Sequence, residues 1–441
     1  MTLKRGERRR RPRTETIEIG ARALQFVTGW EGIISLGVLV VLAVLAQGIL
    51  KLPMPFGIGE KQPLPDAWGY LAVPRGTTPK IVFVGDVSNG AKMEASGAKQ
   101  GVEIAVKEFG KILNATVELQ VVEDACKGEE AATKARELAG DPRVIGVVSQ
   151  ACDASVEAAR LVYEEKHLSY LAIADTKPEI TTQGAMVTFR MRANERVQGR
   201  NAALFMRQNV STQRALLLHD GNPSAQAIAD AFRTQYRAMR GEVRDLRQVS
   251  LTENFDALYQ DIKTLDVDLI FFMGGGRTAA EALKALLQRG YDGKFLVSDS
   301  AYADASFNTV GRDLEGSYAT VLQPARGDRF ASWKEAYEKD YGPVGPLSPE
   351  GYDAAAVLLQ AAALVAKVES DGATKLGRQG MVGNIRSVPY RGVTGVMAFD
   401  GNGDRGTLVA TVMKFEDGQF KPAAAPAPTP VPATDPTAST P

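Results

Sequence analysis

Between Lys80 and Val297 the sequence alternates short, uninterrupted aliphatic runs with stretches of helical period. The runs fall at 81–85, 117–122, 144–148, 168–173, 215–218, 246–249, 269–273 and 295–297. The intervening stretches 91–109, 129–139, 154–165, 195–208, 225–239, 255–265 and 279–288 carry the 3.6-residue pattern of helices. A strand that is apolar on both faces must be covered on both faces, which happens when helices flank a parallel sheet. This alternation predicts an α/β fold of two doubly wound parallel-sheet lobes. Ligands of such lobes bind outside the carboxyl ends of the strands.

The sequence outside this body differs in kind. Residues 1–31 hold Lys4, Arg5, Arg8, Arg9, Arg10, Arg11, Arg13 and Arg22 against four glutamates, although the chain as a whole has zero net charge. A neutral total argues against a nucleic-acid partner, which requires a basic surplus. The run from Gly32 to Leu50 is uncharged and mostly aliphatic. At about 1.5 Å per residue, about 19 residues just span a bilayer core, so 32–50 is expected to be one transmembrane helix. The basic flank places 1–31 in the cytoplasm and everything after Lys51 outside. A cleaved signal peptide is the alternative, but its apolar core is shorter and a small-residue cleavage site follows it. Pro53, Pro55, Pro63, Pro65, Pro74 and Pro79 make 51–79 an expected extended tether. The Ala/Pro/Thr-rich stretch 421–441 is expected to be disordered.

No G-x-S-x-G, H-E-x-x-H or P-loop pattern occurs, and no acid, base and nucleophile stand together, so binding is favoured over catalysis, with no cofactor and no metal. Two Cys and two His are too few for a zinc finger. Gly274-Gly275-Gly276 reads as a tight strand-to-helix turn. Asp400-Gly-Asn402-Gly-Asp404-Arg-Gly406 begins like a calcium loop but departs from it at Arg405 and Thr411, and a hairpin turn between 396–399 and 408–415 fits better. His167 and His219 read as structural. Cys126 and Cys152 both follow predicted strands at one end of the first lobe, outside the membrane, where a disulfide can persist. Its loop would contribute roughly 3 kcal/mol. The alternative is two unpaired core thiols.

Several stretches resemble the leucine/isoleucine/valine-binding proteins of ABC importers, which have the type I periplasmic-binding-protein fold. They are Ser96-Gly-Ala-Lys-Gln-Gly101, Glu123-Asp-Ala-Cys126 with Cys152, Thr176-Lys-Pro-Glu-Ile-Thr181, Phe189-Arg190 with Gln198-Gly199, Tyr352-Asp353-Ala354, and Gly395 with Phe399-Asp400 and Gly403-Asp404. The resemblance implies three crossovers, near 192–196, 318–323 and 396–399. Lobe 1 would then comprise 80–194 and 324–397, and lobe 2 would comprise 195–323 and 398–420. It also implies a small-molecule ligand closed between the lobes and a membrane permease that receives the closed form.

The implied ligand residues are Asp153, Ser155, Ala174, Asp175, Thr176, Ser224 and Asp299. Thr176 would hold an amino-acid carboxylate and Asp299 the ligand ammonium. Asp153 stands where relatives often have Ser, and Asp175 stands inside a relative's Ala-Ala-Thr. Ser224 replaces an aromatic residue, and the loop 87–91 lacks another. With Asp153, Asp175 and Asp299 facing one cleft, a ligand with extra positive charge is expected, such as a basic amino acid, a polyamine or another amine. The alternatives are that Asp153 caps the helix after it and Asp175 forms an Asx-turn. The functional expectation is a membrane-anchored extracytoplasmic solute-binding protein that delivers an amino acid or similar amine to ABC permease subunits. The alternative is a ligand-sensing ectodomain that signals through a separate partner.

Overall fold

The computed structural model describes residues 66–88, 93–113, 115–182, 184–322, 326–406 and 410–423. The basic block 1–31, the apolar run 32–50 and the first part of the tether lie outside the described residues. Among the described residues, no helix is long and apolar enough to cross a membrane.

Two sheets organise the body. The first has five parallel strands in the spatial order Glu118–Glu123, Lys80–Gly85, Val144–Gln150, Tyr170–Ala172, Thr188–Arg190. The second runs Glu242–Gln248, Arg214–His219, Leu269–Met273, Lys294–Val297 and Tyr318–Val321 in parallel, then adds Thr411–Glu416 and Gln419–Pro422 antiparallel. The central strands Val144–Gln150 and Leu269–Met273 are buried along essentially their whole length, as their unbroken aliphatic sequence requires.

Helix packing uses one device in both lobes. The helix Met93–Phe109 lies so close to Ser348–Val365 that a Cβ on Gly101 would sit 1.9 Å from the Ser348 carbonyl oxygen. The helix Glu195–Gln208 meets Ala225–Ala238 in the same way at Gly199, where a Cβ would be 2.1 Å from the Ile228 carbonyl oxygen. Only glycine permits these approaches.

One hydrophobic core draws on residues from Leu71 to Met191 and again from Trp333 to Phe399, so the chain leaves it and returns. Two further clusters fill the second lobe from Ala202 to Val412 and Phe415. Between them Ala193, Leu322 and Ala410 form a small cluster, one residue from each passage between the lobes. Arg190, fully buried, donates from Nε to Asp404 Oδ1 at 2.8 Å, and Asn194 Nδ2 donates to Asp404 Oδ2 at 2.9 Å. Arg192 donates to the Leu322 carbonyl at 3.0 Å. These bonds tie the three passages side by side.

Three expectations need correction. Residues 66–79 are not tether. Tyr70–Val73 pairs antiparallel with Thr374–Gly377, burying Leu71 and Val73. Asp66 accepts from the amides of Gln379 (3.0 Å) and Gly380 (2.9 Å) at a helix start, and Trp68 stacks on His167 with centroids 4.6 Å apart. The prolines forbid helix there but not an edge strand. Lys421 and Pro422 close the last strand and do not begin the tail. Phe399, expected in the second lobe, packs edge-on against Phe189 in the first. The turn at 400–406 is present, with Asp400 Oδ1 accepting from Asn402 (2.9 Å) and Asp404 (3.0 Å). Its flanking strands pair with different partners, Gly395–Met397 with Tyr390–Gly392 and Thr411–Glu416 with Tyr318–Val321.

Candidate functional site

The carboxyl ends of the first sheet's strands carry two acidic centres. The first surrounds the Cys126–Cys152 disulfide, whose Cα atoms are 5.5 Å apart across a sequence separation of 26. Asp124 Oδ1 accepts from the Cys126 amide (3.1 Å) and from Ser155 Oγ (2.5 Å), and Oδ2 accepts from the Cys152 amide (3.1 Å). Ser155, expected to touch ligand, is therefore buried in the disulfide's support. Asp153 is the first helical residue after Cys152. It is an exposed first-turn acid paired with Lys177 at 2.9 Å and makes no cap. The capping alternative therefore does not describe this geometry.

The second centre is formed by the loop after Tyr170–Ala172 and the first turn of Glu195–Gln208. Ala174 is half-buried at the strand end, and Asp175 and Thr176 follow. Asp175 Oδ1 accepts from the Lys177 amide at 2.8 Å, which is the Asx-turn alternative. Its Oδ2 is buried and has no hydrogen-bond partner among the described residues. Burial pushes its pKa up to about 6, assisted by the Asp153 charge and opposed by Arg190 and Lys177.

Glu195 is the residue that sequence reasoning missed. Asn194 caps its helix by accepting from the Val197 amide at 3.0 Å, which leaves Glu195 in the first turn, only 4% exposed. Its amide donates to the Thr176 carbonyl at 3.2 Å, and Thr176 Oγ1 donates to its Oε1 at 3.5 Å. Ser224, from the second lobe, lies close enough to this carboxylate to favour its charged form. Burial raises the Glu195 pKa to about 7, and the charges of Asp175, Glu179 and Asp299 add to the rise. One helical turn on, Gln198 is fully buried. Its Nε2 donates to Asp299 Oδ1 and to Thr320 Oγ1, each at 2.8 Å, while its Oε1 has no partner among the described residues. Asp299 opens the short helix Asp299–Ala303 at the end of Lys294–Val297.

The structure thus gathers Asp175, Thr176, Ser224 and Asp299 around Glu195 and Gln198, with Ala174 preceding Asp175 at the strand end, Asp153 exposed at the edge within charge range of Asp175, and Ser155 buried beside the disulfide. Three nearby cations have acidic partners: Lys177 pairs with Asp153, Arg196 with Glu179 at 3.7 Å, and Arg190 with Asp404, while Arg200 lines the same cavity as Glu195. Among the described residues, no group of three or more His, Cys, Asp or Glu side chains has metal-binding geometry. Part of the 87–91 loop lies outside the described residues. Glu195, Ser224 and Lys177 also line an open cavity of about 870 Å³ that extends toward Asp404 and Arg405.

The family model described as "Periplasmic binding protein" matches residues 78–419. The chain belongs to the periplasmic binding protein family. This family member is 25% identical to an amino acid binding protein of Pseudomonas aeruginosa over 259 residues, 58% of this chain and 68% of that one. It is 22% identical to the leucine-, isoleucine-, valine-, threonine- and alanine-binding protein of the same species over 334 residues, 75% of this chain and 87% of the relative. Its fold is similar to a putative branched-chain amino acid ABC transporter protein from Rhodospirillum rubrum, with TM-score 0.66 and 20% identity over 79% of this chain and 100% of that one. It is also similar to an ABC transporter substrate-binding protein from Desulfitobacterium hafniense in complex with Leu, with TM-score 0.63, 20% identity and the same coverages.

Proposed function

We propose that the chain is the extracytoplasmic solute-binding component of an ABC importer and that its ligand is a small amine-bearing molecule. The observation that carries this reading is the meeting of Thr176 from one lobe with Glu195 from the other, with Ser224 beside it and Asp299 within charge range. Four groups from two lobes converge at the strand ends, where doubly wound folds bind ligands. Relatives named for amino-acid binding support the substrate class.

In this reading the two lobes close on the ligand, and Asp299 accepts from its ammonium. Because the ligand bridges both lobes, its binding energy favours the closed form, which the permease subunits would recognise. The 32–50 segment would anchor the protein with residues 1–31 in the cytoplasm. A thermal-shift screen of the full-length protein against amino acids and amines tests the reading. A ligand at 100 times its Kd stabilises by about 2.7 kcal/mol, a readily measured rise in Tm. A flat profile across amines and amino acids alike would contradict it.

A further inference from the structure

We propose that Glu195 is a built-in stand-in for a ligand carboxylate, so that the protein selects amines without an α-carboxylate and rejects the parent amino acids. The inference rests on the amine-binding reading above and narrows it. A hydroxyl that is to hold an amino-acid carboxylate must have its proton free. Thr176 Oγ1 instead donates to Glu195 Oε1 at 3.5 Å across the lobes, and Ser224 of Glu195's own lobe stands beside this carboxylate. An arriving α-carboxylate would have to displace Glu195 from Thr176 and then lie beside Asp175, whose Oδ2 has no donor. Like charges at that range repel, most strongly where burial lowers the local dielectric.

The rest of the centre offers acceptors. Gln198 spends both amide protons on Asp299 and Thr320 and keeps Oε1 unpaired in a fully buried position. Buried acceptors without partners are rare because each forfeits hydrogen bonding to water. Gln198 Oε1, Asp175 Oδ2 and the carboxylates of Asp299 and Glu195 together suit a group with several N–H donors and positive charge. An ammonium or a guanidinium meets that description. A second cationic centre on the same ligand would balance the remaining carboxylate charge.

Two pairs of compounds differ only by the α-carboxylate: 1,5-diaminopentane against L-lysine, and agmatine against L-arginine. Calorimetric titration of the full-length protein with all four tests the inference. In at least one pair the amine should bind at least ten times more tightly than its amino acid. Glu195→Ala releases Thr176 and should shift that ratio toward the amino acid by at least tenfold. Glu195→Gln, which keeps the size and an acceptor, should shift it less. Asn194 remains to cap the helix in both variants, and an unchanged circular dichroism spectrum confirms their folding. Amino acids bound as tightly as their amines, or a ratio unmoved in a folded Glu195→Ala protein, would overturn the inference and leave the amine-binding reading standing. Binding of none of the four, with no amine hit in the thermal screen, would overturn both.

Discussion

Asp124 and Asp175 are buried carboxylates at the carboxyl ends of the same sheet, and they serve opposite purposes. Asp124 accepts three hydrogen bonds and uses both oxygens, holding two cysteine amides and Ser155. Asp175 accepts one, from the Lys177 amide, and keeps Oδ2 unpaired beside a second raised carboxyl, Glu195. A satisfied buried acid stabilises the fold around it. An unsatisfied one costs stability unless a ligand completes it. The disulfide corner is therefore read as structure and the Asp175–Glu195–Asp299 corner as a place kept for a cation.

The contrast can be broken by substitution. Asp124→Ala should have the largest effect, about 4 kcal/mol lost in urea unfolding, because two buried amides and a hydroxyl lose a charged acceptor together. Reducing Cys126–Cys152 should cost roughly 3 kcal/mol. Asp299→Ala should cost about 1–2 kcal/mol of stability, because buried Gln198 loses an acceptor, and weaken amine binding about ten- to a hundred-fold, since a charge-assisted hydrogen bond is worth about 1.5–3 kcal/mol. Asp175→Asn should change stability by no more than about 1 kcal/mol, and a loss as large as that in Asp124→Ala would erase the distinction between the corners. Asp153→Ser should do least, within about 0.5 kcal/mol and with no change in ligand preference, because its partner Lys177 and its own carboxylate are both largely exposed.

pH sharpens the same comparison. Glu195 and Asp175 have folded-state pKa values raised to about 7 and about 6, so the folded ligand-free protein binds more protons than the unfolded chain between about pH 4 and 7. Their contribution to stability therefore falls as pH rises through that window and is greatest at its acid end. Cation binding needs both groups ionised and should strengthen from pH 5 to 8. Melting curves and titrations at the same pH values should show these opposite slopes. Parallel slopes would place the ligand elsewhere.

The fold was legible because its strands are aliphatic on both faces and their spacing repeats. The disulfide was legible because two cysteines follow strands at the same sheet end. Legibility failed where a side chain's role depends on a distant partner. Asp66 caps a helix more than 300 residues downstream, and the proline-rich stretch around it gives no hint of this. Asp153 and Asp175 look equivalent in sequence, but Lys177 neutralises the first and its amide engages only half of the second. Glu195 carried the pattern of an ordinary first-turn acid. The signal that could have exposed it is its position, within the first expected passage between the lobes and one turn before Gln198.

The most direct measurement is a crystal structure of the protein grown with 1,5-diaminopentane. One ligand nitrogen should lie at about 2.7–3.1 Å from Asp299 and Gln198 Oε1, the second cationic centre against Glu195 or Asp175, with Thr176 still donating to Glu195. A diamine bound away from the Asp175–Glu195–Asp299 corner, or an amino acid whose carboxylate has displaced Glu195 from Thr176, would contradict it.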